Sequence, residues 1–157
     1  MNHSQPRRDF LQQSLAAATL WSLLPDSLKA DEHRTDSLSL SRFTVDITPP
    51  EGHSLCGGWI TPVKDVTDEL QALGLILQGA GKPIVVMAID WTALSNGGHL
   101  LWRTKIAEAV GTTPERVAIH CVHQHNAPFA CLEAQAIVEA QGDLPHIVRL
   151  DYFHDCI

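Results

Sequence analysis

Positive charge is scarce in this sequence. Its 11 lysines and arginines stand against 18 acidic residues, a formal net charge of −7. A nucleic-acid surface needs basic stripes to neutralise phosphates, so that class of partner is disfavoured. No Lys or Arg cluster beyond the first few residues offers a landing site for an anionic membrane. The four cysteines (Cys56, Cys121, Cys131 and Cys156) form no C-x-x-C, so neither a thioredoxin-like site nor a zinc ribbon is indicated. The apolar segment Leu15–Leu24 is ten residues long, too short to span a bilayer as a helix.

What is present suits a globular protein. With 45% hydrophobic and 18% charged residues, the chain can bury a core, and 157 residues suggest one domain. Histidine is abundant at 9 residues, and it is the commonest metal ligand.

The first 30 residues read as an export signal. Pro6-Arg7-Arg8-Asp9-Phe10-Leu11 precedes the apolar segment, and a polar stretch ends at Leu28-Lys29-Ala30. Paired arginines followed by Phe-Leu resemble a twin-arginine address, which predicts a periplasmic or extracellular location. Cleavage near Ala30 removes Arg7, Arg8 and Lys29 with Asp9 and Asp26. The remainder carries 8 basic and 16 acidic residues, a net charge of −8. Export permits disulfides among the four cysteines, and sequence does not choose among the three pairings.

Residues 31–41 read as a polar lead-in, and residues 42–157 as the N-terminal part of a catalytic domain. Arg42–Ile47 alternates as a strand, ended by Thr48-Pro49-Pro50. Gly52, Gly57 and Gly58 surround His53, Cys56 and Trp59 in a loop that reads either as a pocket wall or as a surface turn with a half-buried tryptophan. Glu69–Gln78 and Ile84–Ile89 form a hairpin around the turn Gly79-Ala80-Gly81-Lys82. Asp90 closes the second strand, where a carboxylate either serves a site or caps a loop. Ser95-Asn96-Gly97-Gly98 reads as a break, Leu100–Val110 as an amphipathic helix stopped by Gly111, and Leu132–Gln141 as another helix. Ile147–Tyr152 begins a further segment, and Phe153–Ile157 looks like the opening of a helix, as in a truncated domain. The order predicts an α/β fold, a mixed β-sheet with flanking helices.

The stretch with the most chemistry is Val117–Pro128, V-A-I-H-C-V-H-Q-H-N-A-P. In an extended chain, side chains at i and i+2 share a side. That alternation predicts that His123 and His125 project together with Ile119 and Cys121, while His120 and Gln124 face away. Two adjacent imidazoles at a strand end suit a metal site or a catalytic pair; ordinary hydrogen bonding of both rings is the bland alternative.

An ordered set of motifs then stands out. Asp46-Ile47-Thr48-Pro49-Pro50 precedes a glycine; Gly57-Gly58-Trp59, Asp68-Glu69-Leu70, Ile89-Asp90 and Pro114-Glu115-Arg116-Val117 follow, and then His123-x-His125-x-x-Pro128. Over residues 42–128 this resembles the N-terminal part of the neutral/alkaline, non-lysosomal ceramidases and their secreted bacterial relatives. The resemblance implies zinc-dependent hydrolysis of a lipid amide, releasing a fatty acid from an N-acyl sphingoid base. It implies that His123 is a Zn2+ ligand and that His125 is a catalytic residue beside it. Gln124 and Asn126-Ala127 depart from the family's usual Thr and Ser-Gly, which bears on head-group recognition. The family's remaining ligands, a second His, a Glu and a Tyr, lie downstream of the part matched. Cys121, Glu133, His146 and His154 are the local substitutes, and no spacing favours them. Two rival expectations stand beside this one: a related hydrolase acting on another amide or ester, and a non-enzymatic remnant or partner-dependent metal-binding fragment. The oligomeric state is not readable from the sequence.

Overall fold

The structure is a computed structural model that describes residues 37–157. The expected export signal and most of the lead-in lie outside the described residues. Four strands form one sheet: β1 (Ser39–Asp46), β2 (Gln71–Gly79), β3 (Gly81–Ile89) and β5 (Val117–Cys121), in the order β1-β2-β3-β5. The first three pair antiparallel and β3 pairs parallel with β5, so the sheet is mixed. The connection from β3 to β5 carries β4 (Ala93–Ser95) and α1 (Asn96–Val110), the crossover a parallel pair requires. β6 (Phe129–Cys131) pairs parallel with β4 in a second, two-stranded sheet, followed by α2 (Leu132–Ala140) and α3 (Leu150–Asp155). The α/β expectation with a mixed sheet and flanking helices is met.

Boundaries moved where local pattern was weakest. β1 starts at Ser39, three residues into the expected lead-in, because Ser39, Leu40 and Ser41 pair with Gln78, Leu77 and Ile76. The hairpin turn is tighter than the four residues expected. Gly79 pairs with Gly81 around Ala80, and Gly81 sits at φ 118°, a conformation glycine reaches without a Cβ penalty. β4 and β6 were missed because three residues are too few to display a period.

The expected break at Asn96–Gly98 is instead the first turn of α1. Ser95 offers no side-chain cap there. The Glu133 carboxylate, arriving from α2, accepts the Gly97 N–H at 2.9 Å, and Gly98 lies against the Phe153 ring. The start of α1 is thus set by partners distant in sequence. Its end at Gly111, in the left-handed conformation, falls where the local signal put it. The Arg103 side chain donates to the Pro114 and Val117 carbonyls and ties α1 to the start of β5.

One face of the sheet, with Ala72, Val85, Met87 and Ile89, packs against α1 through Trp102 and Ala107. Trp91, just past β3, is fully buried with its ring centroid 5.0 Å from that of Trp102 and 6.3 Å from that of Phe153. Leu40, Leu73, Leu75 and Val86 point to the opposite face and stay 40–58% exposed.

Phe43 lies flat over its cross-strand partner Gly74. A Cβ added to Gly74 would stand 2.1 Å from Phe43 Cζ. Gly74→Ala therefore has to displace a ring between two paired strands, and a loss of about 1–3 kcal/mol is expected for such overpacking. Urea unfolding checks it: an unchanged midpoint would show that Phe43 leaves its place at no cost.

Candidate functional site

The two histidines do come together, by a route the sequence pattern did not contain. β5 ends at Cys121, and His123 takes a left-handed backbone, φ 65°. Strand alternation therefore does not reach residues 123–125. A turn brings the rings together, with centroids 5.4 Å apart and planes at 78°. Ile119 and Cys121 do not join that face as expected; they pack against the core.

The turn is held from below by the chain just past β3. The His123 N–H bonds the Trp91 carbonyl at 3.1 Å, and the Thr92 N–H bonds Pro128 at 2.9 Å. Buried Thr92 directs its hydroxyl at the Gln124 and Ala127 carbonyls, 2.6 and 3.0 Å away. The Cys56 N–H donates to Ala127 at 2.8 Å, which places the Cys56–Trp59 loop against the same turn. Left-handed backbone is uncommon for a residue with a Cβ. This set of bonds holds His123 in it.

His123 and His125 line a depression of about 380 Å³ with Cys56, Gly57, Trp59 and Phe129. The glycine loop is thus the pocket wall, and Trp59 is 86% exposed rather than half-buried. On the other side of the turn, Gln124 and Asn126 face a polar cleft of about 620 Å³ that also holds Asp65, Asp68 and Asp90. Asp90, one candidate for the site, belongs to this second cleft, where its carboxylate accepts the Gln71 N–H at 2.9 Å. The alternating residues of H-Q-H-N divide an apolar depression from a cleft that carries several carboxylates.

The His123 ring orientation carries chemical information. Its Nδ1 lies 2.8 Å from the Thr92 carbonyl oxygen. A carbonyl only accepts, so Nδ1 bears the proton, and in the neutral ring Nε2 keeps its lone pair. Metal-bound histidines are held in this way, one ring nitrogen donating to a carbonyl so that the other can ligate. His123 thus fits a zinc ligand. Among the described residues, no group of three His, Cys, Asp or Glu side chains converges to hold a metal. The local substitutes are committed elsewhere. Burial pushes the Cys121 thiol up, against the thiolate a metal needs. Glu133 caps α1, His146 accepts the Ser54 N–H at 3.1 Å, and His154 sits exposed on α3.

No known family model matches the chain, and no curated protein matches it. A solved structure of a ceramidase complexed with C2 aligns with a TM-score of 0.49. It is 17% identical, over 59% of this chain and 15% of the ceramidase chain. The present chain thus spans about 15% of that protein's length. No residue role is carried across at that distance. All four cysteines are free thiols, and no helix among the described residues is long and apolar enough to cross a membrane.

Sequence reasoning missed Thr92, which looked like an unremarked residue after a strand, and it missed how His53 is used. His53 is fully buried. Its Nδ1–H donates to the Ser54 carbonyl at 2.7 Å, and its Nε2 accepts the Arg149 N–H at 3.2 Å. Burial, opposed by the Ser54 carbonyl, pushes its pKa down to about 4. A histidine reaching 6.5 when unfolded binds its proton there first. The unfolded state then holds more protons, so stability is full above about pH 6.5 and falls as the pH drops towards 4. A loss of about 3 kcal/mol is expected across that window. Urea midpoints measured from pH 7 to pH 4 test this, with His53→Gln as the control; equal slopes for both proteins would refute it.

Proposed function

We propose that the chain belongs to a zinc-dependent amide hydrolase of the neutral ceramidase kind. In this reading it provides the N-terminal part of the catalytic domain and is exported through a twin-arginine signal. The substrate is a lipid amide, an N-acyl sphingoid base, hydrolysed to a fatty acid and the free base. One observation supports this reading above the others: the Thr92 carbonyl fixes the His123 tautomer and leaves Nε2 as the ligating atom. The motif order over residues 42–128 names the reaction class.

Zinc, when bound, supplies the Lewis acidity that polarises an amide carbonyl and acidifies water. The chain's own residues do the rest. His123 holds its ring fixed through Thr92, so ligation needs no reorientation. In this reading His125, exposed and edge-on to His123, hydrogen-bonds the developing oxyanion or passes a proton taken from the attacking water to the departing amine. The depression is walled by Trp59, Phe129 and Ile147, surfaces suited to an acyl chain. His123 is the one zinc ligand assigned; the second His, the Glu and the Tyr that the resemblance expects are assigned to no residue here.

The test is zinc content, together with fatty-acid release from an N-acylsphingosine by the protein as it is expressed and exported. Stoichiometric zinc with release supports the reading. Zinc with release only from another amide or an ester supports the related-hydrolase rival. Absence of both metal and turnover overturns the assignment.

A further inference from the structure

Two histidines that the proposed chemistry does not use join the two walls of the depression. One wall comes from the loop that contains Cys56, Gly57 and Trp59, and the other includes Ile147. A histidine precedes each: His53 stands three residues before Cys56, and His146 directly before Ile147. The Ser54 N–H donates to His146 Nε2 at 3.1 Å, and the Ser54 hydroxyl donates back to the His146 carbonyl at 2.5 Å. The Arg149 N–H donates to His53 Nε2 at 3.2 Å. The two rings meet edge to face with centroids 5.1 Å apart, and Tyr152 packs on His53 at 4.8 Å. Buried Gln135 holds the second wall to α2 by accepting the Ile147 and Val148 N–H groups.

We propose that His53 and His146 are positioning residues that clasp the Cys56–Trp59 wall to the Ile147 wall, and that protonation opens this clasp. Each ring serves as an acceptor towards a backbone N–H, and a neutral imidazole has one acceptor nitrogen. A proton on Nε2 turns that acceptor into a donor facing another donor, and the bond is lost. At His53 the change is complete, because Nδ1 already carries the other proton for the Ser54 carbonyl.

The surroundings set the direction. His53 faces His146, Arg149, Tyr152 and Asp151; His146 faces His53, Arg149 and Asp151. Burial comes first in lowering both imidazoles, Arg149 adds repulsion to each, and only Asp151 among the charged groups favours the proton. Arg149 holds Asp151 in an ion pair at 2.5 Å, which blunts that attraction. The clasp is therefore closed at neutral pH and opens in acid.

This inference rests on the proposed function only for its effect on turnover, since a loosened wall would widen the depression beside His123. Its test needs neither zinc nor substrate. Amide hydrogen exchange is followed by NMR from pH 7 to pH 4, as protection factors that remove the intrinsic pH dependence. Ser54 and Arg149 are expected to lose at least about tenfold more protection than Ile89 in β3, whose protection falls only with the global stability. His146→Gln supplies an acceptor that does not titrate, so Ser54 should lose no more protection than Ile89, whereas His146→Ala should lose protection already at pH 7. Flat protection at Ser54 and Arg149 overturns the clasp. So does loss in step with Ile89, or a His146→Gln variant that behaves like His146→Ala.

Discussion

On the proposed function, replacing His123 with alanine is expected to strip zinc from the protein and to lower amide hydrolysis by at least about 1000-fold, because a catalytic zinc cannot spare one of its few protein ligands. His125→Ala should behave differently. The metal stays, and kcat falls by about 100- to 1000-fold, the range for losing one oxyanion donor or one general acid. The contrast separates the two imidazoles, which sequence spacing treats as equivalent. Thr92 acts on His123 through its backbone carbonyl, so side-chain substitution at Thr92 removes the staple on the turn without removing the tautomer-setting oxygen. Metal analysis paired with fatty-acid release reads both variants. A His123→Ala protein that keeps its zinc and its turnover would end the assignment.

The second large effect is on stability. Trp91→Ala is expected to cost about 3–5 kcal/mol, the range for deleting a buried tryptophan. Trp91 touches Trp102, Tyr152 and Phe153, and its Nε1–H donates to the Tyr152 hydroxyl at 3.1 Å. That hydroxyl in turn donates to the Ile47 carbonyl, so the tryptophan closes a chain from β3 through α3 to the end of β1. A domain of ordinary stability holds about 5–15 kcal/mol in total, so the variant should unfold at a much lower urea concentration. Trp91→Phe, which keeps most of the apolar volume and loses the N–H, should recover more than half of the loss. Equal midpoints for Trp91→Ala and the parent would show that α3 does not depend on this contact.

The two predictions meet at one place in the chain. Trp91 carries the core while its carbonyl, with that of Thr92, receives the His123 N–H and the His123 ring. A core change at Trp91 therefore reaches the site by one peptide unit. Some loss of zinc affinity should accompany loss of stability in Trp91→Ala but not in Gly74→Ala, which lies mid-strand between Phe43 and Met87 and makes no bond to the His123 turn.

Local pattern was enough for the elements that repeat a period. The continuous apolar runs of β2 and β3, the alternation of β1 and the glycine stop of α1 all depend on neighbours a few residues away, and all were legible. Elements shorter than a period or started by a distant partner were not. β4 and β6 have three residues each, and the first turn of α1 owes its cap to Glu133, thirty-six residues on. The site divides in the same manner. That His123 and His125 would be neighbours was readable from H-x-H, although a left-handed turn, not strand alternation, brings them together. The clasp between His53 and His146 was not readable, because its partners are separated by more than ninety residues and nothing local marks them as a pair.

By itself, the sequence determined the charge balance that disfavours nucleic acid, the mixed α/β order, and the residue types that can ligate zinc. These follow from composition and short-range periodicity. The tertiary structure decided which nitrogen of His123 keeps its lone pair, that Ile119 and Cys121 belong to the core, that Gln124 and Asn126 face a different recess from the histidines, and that His53 and His146 bond backbone groups across the two walls. Each of those depends on a carbonyl, a turn or a packed ring brought from elsewhere in the chain, and such partners exist only once the chain has folded.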